Sequence, residues 1–321
     1  MPELSTAPKL SALYLKAVAT GPTRRGDGLP DTEYLRRDIE IDRDQLAEYN
    51  RACGFGLRDE LPITYPHVLS FPLSVRLMTD PGFPFPLVGL VHVANTIRQE
   101  RPLLVTDVLT QRVRVADLRP HPKGRQFDVV TETSAGGEVV WREVSTYLRR
   151  GSAPEQAERD EAQPRDAAGA PARQPGEATP EHDEARQPGE ATPERGEASG
   201  QPAAASELGT TGEPTATWRV PGDTGRRYAA VSGDRNPIHL HPLTAKAFGF
   251  PRAIAHGMWS KARCLAAFAE RLPDAYSVDV EFRKPLLLPS TVDFTMSRQD
   301  TGWNFALHAR SGKPHLLGEV R

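Results

Sequence analysis

Residues Tyr228 to Met258 read YAAVSGDRNPIHLHPLTAKAFGFPRAIAHGM. A short apolar run, Tyr228 to Val231, leads into the turn Ser232-Gly233-Asp234-Arg235-Asn236-Pro237 and then His239. A second small-residue turn, Ala255-His256-Gly257, opens a long apolar segment. Proline disfavours a helical conformation for Asn236, so the spacing predicts a loop or turn over 234–239. Such a turn can aim the Asp234 carboxylate and the His239 imidazole at one small volume and hold a water between them. Asn236 both donates and accepts and can fix the pair's orientation. Ser232 shares their turn, and His256 is placed to orient the turn before Gly257. Gly257 can offer a bare N–H at a helix start, where the helix dipole favours a developing oxyanion. On a thioester this set permits hydrolysis at the carbonyl, or addition and loss of water at the neighbouring carbon–carbon bond. The residues alone do not choose, nor do they assign the protons between Asp234 and His239.

Working outward, Asp223 or Thr224 caps a helix through Val231, and a short helix is expected over 242–248. A helix from about 258 to 272 carries Trp259, Ala262, Leu265, Ala266 and Phe268 on one face at helical spacing. Strands are expected at 277–283, 291–299, 303–310 and 315–320, with hairpin turns at Asp300-Thr301-Gly302 and Ser311-Gly312-Lys313. Upstream, an apolar patch spans Leu10 to Val18 and a strand spans Tyr34 to Ile41. Asp42 or Asp44 caps a helix over 45–53 that Gly54 and Gly56 stop. The run 67–78 reads as a helix kinked at Pro72 or beginning near it. Strand-like runs follow at 87–97, 103–118 and 126–149, the last folded into a hairpin at Ser134-Ala135-Gly136-Gly137.

The two ends of the chain therefore share an element order: helices, a long apolar helix, then a meander of strands. Arg101-Pro102-Leu103-Leu104 and Lys284-Pro285-Leu286-Leu287 each follow the first long strand of their half. This is the pattern of a duplicated α+β fold with residues 1–150 and 216–321 as its halves. Only the second half carries the Asp-Arg-Asn-Pro-Ile-His string. Between them, residues 151–215 are built from Ala, Pro, Glu, Gly, Gln and Arg, with Leu208 as the one large apolar residue. ARQPGEATPE occurs twice there, at 172–181 and 185–194. Such a segment cannot offset its ordering entropy by burial and reads as a disordered linker.

The totals exclude several classes. A net charge of -2 over 321 residues gives no electrostatic case for nucleic acid. The mean hydropathy of -0.50 owes much to the linker. Cys53 and Cys264 are the only cysteines, which argues against a disulfide framework or a cysteine-built zinc site and suits a reducing cytoplasm. The N-terminus lacks the basic start and apolar core of a secretory signal, and no apolar stretch is long enough to span a membrane. His239, His241 and His256 invite a metal reading, but no acidic or cysteine ligand sits at fitting sequence spacing, so no metal is expected.

The string Tyr228 to His239, with Ala245-Lys246, Gly249-Phe250 and Ala255-His256-Gly257-Met258, resembles the signature of the MaoC-like, type 2 enoyl-CoA hydratase family. The first half, with Gly89-Leu90-Val91-His92-Val93, resembles the degenerate repeat of its two-repeat members. The resemblance implies a double hotdog: two antiparallel sheets, each wrapped round a long helix. It implies that Asp234 and His239 hold the catalytic water and that Gly257 supplies the oxyanion N–H. It further implies reversible hydration of trans-2-enoyl thioesters to (3R)-hydroxyacyl thioesters, with no cofactor. Acyl-CoA or acyl-carrier protein would be the partner, with a homodimer as an open option. Lys246, Arg252 and Lys284 are candidates to meet carrier phosphates, and Phe71, Leu73 and Leu77 to line an acyl tunnel. His241 departs from the acidic residue many members carry at its place. A hotdog thioesterase and a non-catalytic partner subunit are the competing readings.

Overall fold

Helix α1 (Leu10–Thr20) and strand β1 (Tyr34–Ile39) open the first half. Asp42 caps helix α2 (Arg43–Cys53) by accepting from the N–H groups of Asp44 and Gln45 at 2.9 and 3.0 Å. Gly54 ends that helix in the left-handed conformation, φ 87°, which glycine adopts without a Cβ clash. Helix α3 (Tyr65–Met78) runs on through Pro72 instead of starting there. Strands β2 (Leu90–Gln99), β3 (Leu109–His121), β4 (Gly124–Ala135) and β5 (Glu138–Arg150) complete the half. Residues 103–105, expected in a strand with 109–118, instead pair with 59–61, through Leu61 N to Leu103 O at 2.7 Å and Val105 N to Asp59 O at 2.8 Å. The chain is seen here as a computed structural model that describes residues 2–20, 28–151 and 213–321. The expected linker therefore lies almost wholly outside the described residues.

The second half repeats the scheme. Strand β6 (Ala216–Val220) is followed by helix α4 (Thr224–Ser232), two short helices α5 (Pro237–Leu240) and α6 (Pro242–Ala247), and helix α7 (Gly257–Ala266). Strands β7 (Tyr276–Phe282), β8 (Ser290–Gln299), β9 (Gly302–Ala309) and β10 (Pro314–Val320) follow. Helix α7 stops at Ala266, short of the expected 272. Phe268, at φ -141°, leaves helical geometry, and a single 3-10 turn (Ala269–Arg271) carries the chain on.

All ten strands form one antiparallel sheet in the order β1-β3-β4-β5-β2-β7-β10-β9-β8-β6. Read outward from the β2–β7 pair, the two sides mirror each other strand for strand. The duplication inferred from element order is thus a property of the fold. The seam runs from Ala94 opposite Glu281 to Gln99 opposite Tyr276, so the halves share main-chain hydrogen bonds. Inside the curve, α3 buries Leu73 and Leu77 with Phe83, Val113 and Phe127. Helix α7 buries Trp259, Ala262 and Leu265, which pack with Phe268, Phe294 and Phe305. Each large apolar side chain so buried contributes roughly 1.5–3 kcal/mol. The Trp259 indole N–H donates to the Ala52 carbonyl at 2.9 Å, tying α7 to α2 of the other half.

Candidate active site

Gly233 ends α4 at φ 75°, a left-handed turn that takes the chain out of the helix just before Asp234. The Ser232 hydroxyl accepts from the Asp234 N–H at 3.2 Å and holds this corner. Asn236 then caps α5, with Pro237 at the first helical position, where its missing N–H costs nothing. The expected loop over 234–239 is therefore half loop and half helical turn. Asn236 itself is extended, ψ 124°, as its proline requires, but His239 sits on α5. The close approach of α5 to α4 depends on Gly225: a Cβ there would lie 2.1 Å from the His239 carbonyl oxygen. His241 caps α6, its Nδ1 accepting from the Leu243 N–H at 3.2 Å, which gives this residue a structural task.

The segment before α7 lies against α5. Ile254 N donates to Ile238 O at 3.1 Å, and Ala255 N to Leu286 O at 2.8 Å. His239 Nδ1–H donates to the Ile254 carbonyl at 2.8 Å, which leaves its Nε2 with a free lone pair. His256 caps α7 and its Nε2–H donates to the Asp234 carbonyl at 3.0 Å, with its ring stacked on that of His239. Asp234 Oδ1 accepts from the Asn236 N–H at 3.1 Å and from the Tyr14 hydroxyl at 2.9 Å. Oδ2 makes no such bond and lies 3.7 Å from His256 Nε2. Ligand atoms of Asp234, His239 and His256 all fall within 4.8 Å of one another. The fold thus supplies the acidic neighbour that sequence spacing had argued against.

Charge states follow from these surroundings. Burial alone would raise the Asp234 pKa, but the His256 and His239 imidazoles, the Asn236 N–H and the Tyr14 hydroxyl outweigh it and hold it below the usual carboxylate range. Burial lowers that of His239 despite the offsetting pull of Asp234, and brings His256 down to about 3. Near neutrality the site is one carboxylate beside two neutral imidazoles. A quarter of the Asp234 side chain remains exposed, so water reaches it.

Beside Asp234 lies a cavity of about 40 Å³ walled mainly by the first half, with Phe71, Met78, Leu87, Leu90 and Tyr147 among its lining residues. Phe71, one of the three residues expected to line an acyl tunnel, is among them. Leu73 and Leu77 are not, being fully buried in the core behind α3. Gly257 opens α7, ahead of the helix ladder, where an N–H has no acceptor within the helix. A Cβ at Gly257 would stand 3.0 Å from the Phe282 ring, so any side chain there would press on that ring. Lys246, Arg252 and Lys284 are exposed, and Arg252 donates to the Pro289 carbonyl at 3.2 Å. Asp234, His239, His256, Asn236 and Ser232 thus converge, and the three basic residues stand on the surface outside that cluster. Tyr14 and Gly225 escaped sequence reading: the first is 220 positions from its acceptor, and the second lies inside a helical pattern with no local signal.

A mirrored ten-stranded sheet with a long helix inside each half defines a double-hotdog protein, and its second half brings Asp234 and His239 together. The comparisons agree. The model of the MaoC-like domain matches residues 203–313. The chain is 35% identical over 298 residues to 3-hydroxyacyl-thioester dehydratase X of Mycobacterium tuberculosis, covering 92% of this chain and 91% of that protein. The crystal structure of that protein, HtdX, superposes with a TM-score of 0.69 at 33% identity, over 90% of this chain and 99% of the other. The full-length peroxisomal multifunctional enzyme type 2 of Drosophila melanogaster shares the fold, with a TM-score of 0.59 at 20% identity over 90% of this chain and 47% of that one. The chain belongs to the MaoC-like dehydratase family. Among the described residues, no helix is long and apolar enough to cross a membrane.

Proposed function

We propose that this protein catalyses reversible addition of water to trans-2-enoyl thioesters, giving (3R)-3-hydroxyacyl thioesters, with coenzyme A or acyl-carrier protein as the carrier. The observation that carries the mechanism is the closeness of Asp234, which has a free oxygen and lines an apolar cavity, to His239, which has a free ring nitrogen. Ligand atoms of the two residues lie within 4.8 Å of each other, a span that a single water bridges with two hydrogen bonds of about 2.8 Å. Both groups are proton acceptors near neutrality, so neither brings a proton to the reaction. The proton delivered to C2 is then the one removed from the attacking water. Water oxygen bonds to C3, its proton passes to the Asp234/His239 pair, and the pair returns it to C2 as the enolate collapses. Dehydration runs the same steps backwards. The Gly257 N–H and the α7 dipole stabilise the enolate oxygen in both directions.

No metal takes part in this reading. The lone pairs of an imidazole lie in its ring plane, and the stacked planes of His239 and His256, inclined by 26°, do not meet within bonding distance of both rings. A tetrahedral or octahedral cation needs convergent lone pairs. Lys246, Arg252 and Lys284 remain candidates for carrier phosphates, a second copy of the chain for a homodimer, and a reducing cytoplasm for its location, where Cys53 and Cys264 stay free thiols.

The test is loss of the enoyl absorbance of crotonyl-CoA and longer enoyl-CoAs, with chiral analysis of the product. Asp234→Asn and His239→Ala should each lower turnover by about 10²–10⁴-fold while the protein stays folded. Turnover retained by both variants, or release of free thiol without hydration, would overturn the proposal. Dialysis against a chelator should leave the rate unchanged.

A further inference from the structure

The catalytic string lies wholly in the second half, yet one hydrogen bond to it comes from the far end of the chain. Helix α1 docks on α3 through Leu13, which packs with Phe71 and Val75. Its first residue, Leu10, closes on the α4–α5 corner: a Cβ at Gly233 would lie 2.3 Å from Leu10 Cδ1. One turn on from Leu10, Tyr14 reaches the carboxylate, donating to Asp234 Oδ1 at 2.9 Å, and it lines the cavity together with Phe71 and Leu87. Burial, then the Asp234 charge, push the Tyr14 pKa far up, so it stays a neutral phenol and a donor.

We propose that Tyr14 is a positioning residue for Asp234: with the Asn236 N–H it saturates Oδ1, so that Oδ2 alone is presented to the water. A carboxylate with both oxygens free rotates about its Cβ–Cγ bond and offers either to the water. One oxygen tied by two donors fixes the plane and selects the other. Helix α1 then belongs to the active site, and both ends of the chain contribute to it. This rests on the hydratase reading for its kinetic consequence and on geometry alone for its electrostatic one.

Tyr14→Phe separates the two tasks of the residue, because it keeps the ring in the wall and removes the hydroxyl. Selectively ¹³C-labelled aspartate, with the Asp234 resonance assigned by its absence in Asp234→Asn, follows the Asp234 titration whether or not the protein turns over substrate. Other groups facing Asp234 are His239 on α5, His256 at the α7 cap, Tyr228 on α4, Tyr147 on β5 and His92 on β2, and all are unchanged in the variant. A donor to the charged form lowers a carboxylate pKa, so its loss should move the Asp234 titration to higher pH. The acid limb of kcat/KM should move with it, and kcat should fall about tenfold with KM within about twofold. Leu13→Asp, which undocks α1 and leaves Tyr14 itself intact, should reproduce the shift. An Asp234 titration unmoved in Tyr14→Phe overturns the proposal. If that variant fails to fold, an unmoved titration in Leu13→Asp does so. Absent hydration by the wild type, with the titration shift present, would strike at the hydratase reading alone.

Discussion

The imidazole rings of His239 and His256 lie face to face, with centroids 3.7 Å apart and planes inclined by 26°. Two imidazolium ions at that distance would repel, and both rings are buried away from the bulk solvent that would spread the charge. The stack is stable because both rings are neutral, and the Ile254 and Asp234 carbonyls select the tautomers that keep them so.

Acid sensitivity follows with a definite sign. His256, at about 3, and His239 are both held below the 6.5 of a free histidine, so below that pH the unfolded chain takes up protons that the folded chain refuses. Their contribution to stability is full above pH 6.5 and is lost as pH falls towards the folded values. The slope is about 1.4 kcal/mol per pH unit for each ring that stays neutral. Asp234, whose pKa is depressed, loses its contribution only as pH falls below about 3.8, outside the range from pH 5 to 7. Thermal melts should give a lower Tm at pH 5 than at pH 7, with a shallower slope in His256→Gln. A Tm independent of pH between 5 and 7 would contradict the neutral stack.

Gly225 should prove as necessary to the site as its named residues. A methyl group at 225 would sit 2.1 Å from the His239 carbonyl oxygen, and only displacement of α5 relieves that contact. Gly225→Ala should cost about 1–3 kcal/mol in a urea melt and lower kcat about tenfold or more, since His239 moves with α5. Gly222→Ala is the control, because its Cβ would meet nothing nearer than 3.6 Å. Equal kinetics in the two variants would show that α5 tolerates the shift.

How much of this was legible in the sequence depends on how locally each feature is encoded. Asp234 and His239 share one short string, and the turn chemistry of Gly233, Asn236 and Pro237 places them, so their closeness was legible. The mirrored halves were legible because helix and strand periods repeat in the same order. The helical turn holding His239 was missed although Asn236-Pro237 is itself a helix-start signal, the asparagine as cap and the proline at the first position. Tyr14, Gly225 and Tyr147 were hidden for another reason. Tyr14 and Tyr147 reach Asp234 only through the packing of one half on the other, and Gly225 meets His239 only through the packing of α5 on α4, which no local pattern records.

The same holds for Lys261, which is fully buried on α7 and faces the seam between the halves. Its ammonium donates to Asn95 Oδ1 at 2.5 Å and to the Asn95 and Val278 carbonyls at 3.2 and 3.0 Å. Asn95 passes the chain on to Glu143 at 2.7 Å, and His67 Nδ1–H donates to Glu143 at 2.8 Å. Burial brings the Lys261 pKa down to about 7, against 10.5 for a free lysine. Between those values the unfolded chain is protonated and the folded one is not, so this group makes stability rise with pH from about 7 towards 10.5. Lys261→Met should remove that alkaline rise and cost about 2–4 kcal/mol by leaving buried acceptors unpaired. In a double-mutant cycle, Lys261→Met with Glu143→Gln should cost less than the sum of the two. Strict additivity would show that Asn95 does not couple them.

Gly257 separates a steric from an electrostatic account of the oxyanion site. Ala at this position keeps the backbone N–H, so a purely electrostatic role would survive the substitution. The new Cβ, however, would press on the Phe282 ring at 3.0 Å, and the start of α7 must tilt or the ring must yield. A tilt of the helix start misaims the N–H, and losing one oxyanion donor costs about 10²–10³-fold in kcat. Gly257→Ala should therefore lower kcat by up to that factor with little change in KM. Trimming the obstacle in Gly257→Ala/Phe282→Leu should return most of the lost rate, because the leucine leaves room for the methyl group and α7 regains its direction. Failure of the double variant to recover, with Phe282→Leu alone active, would place the defect in the substrate's own space beside residue 257 instead of in the aim of its N–H.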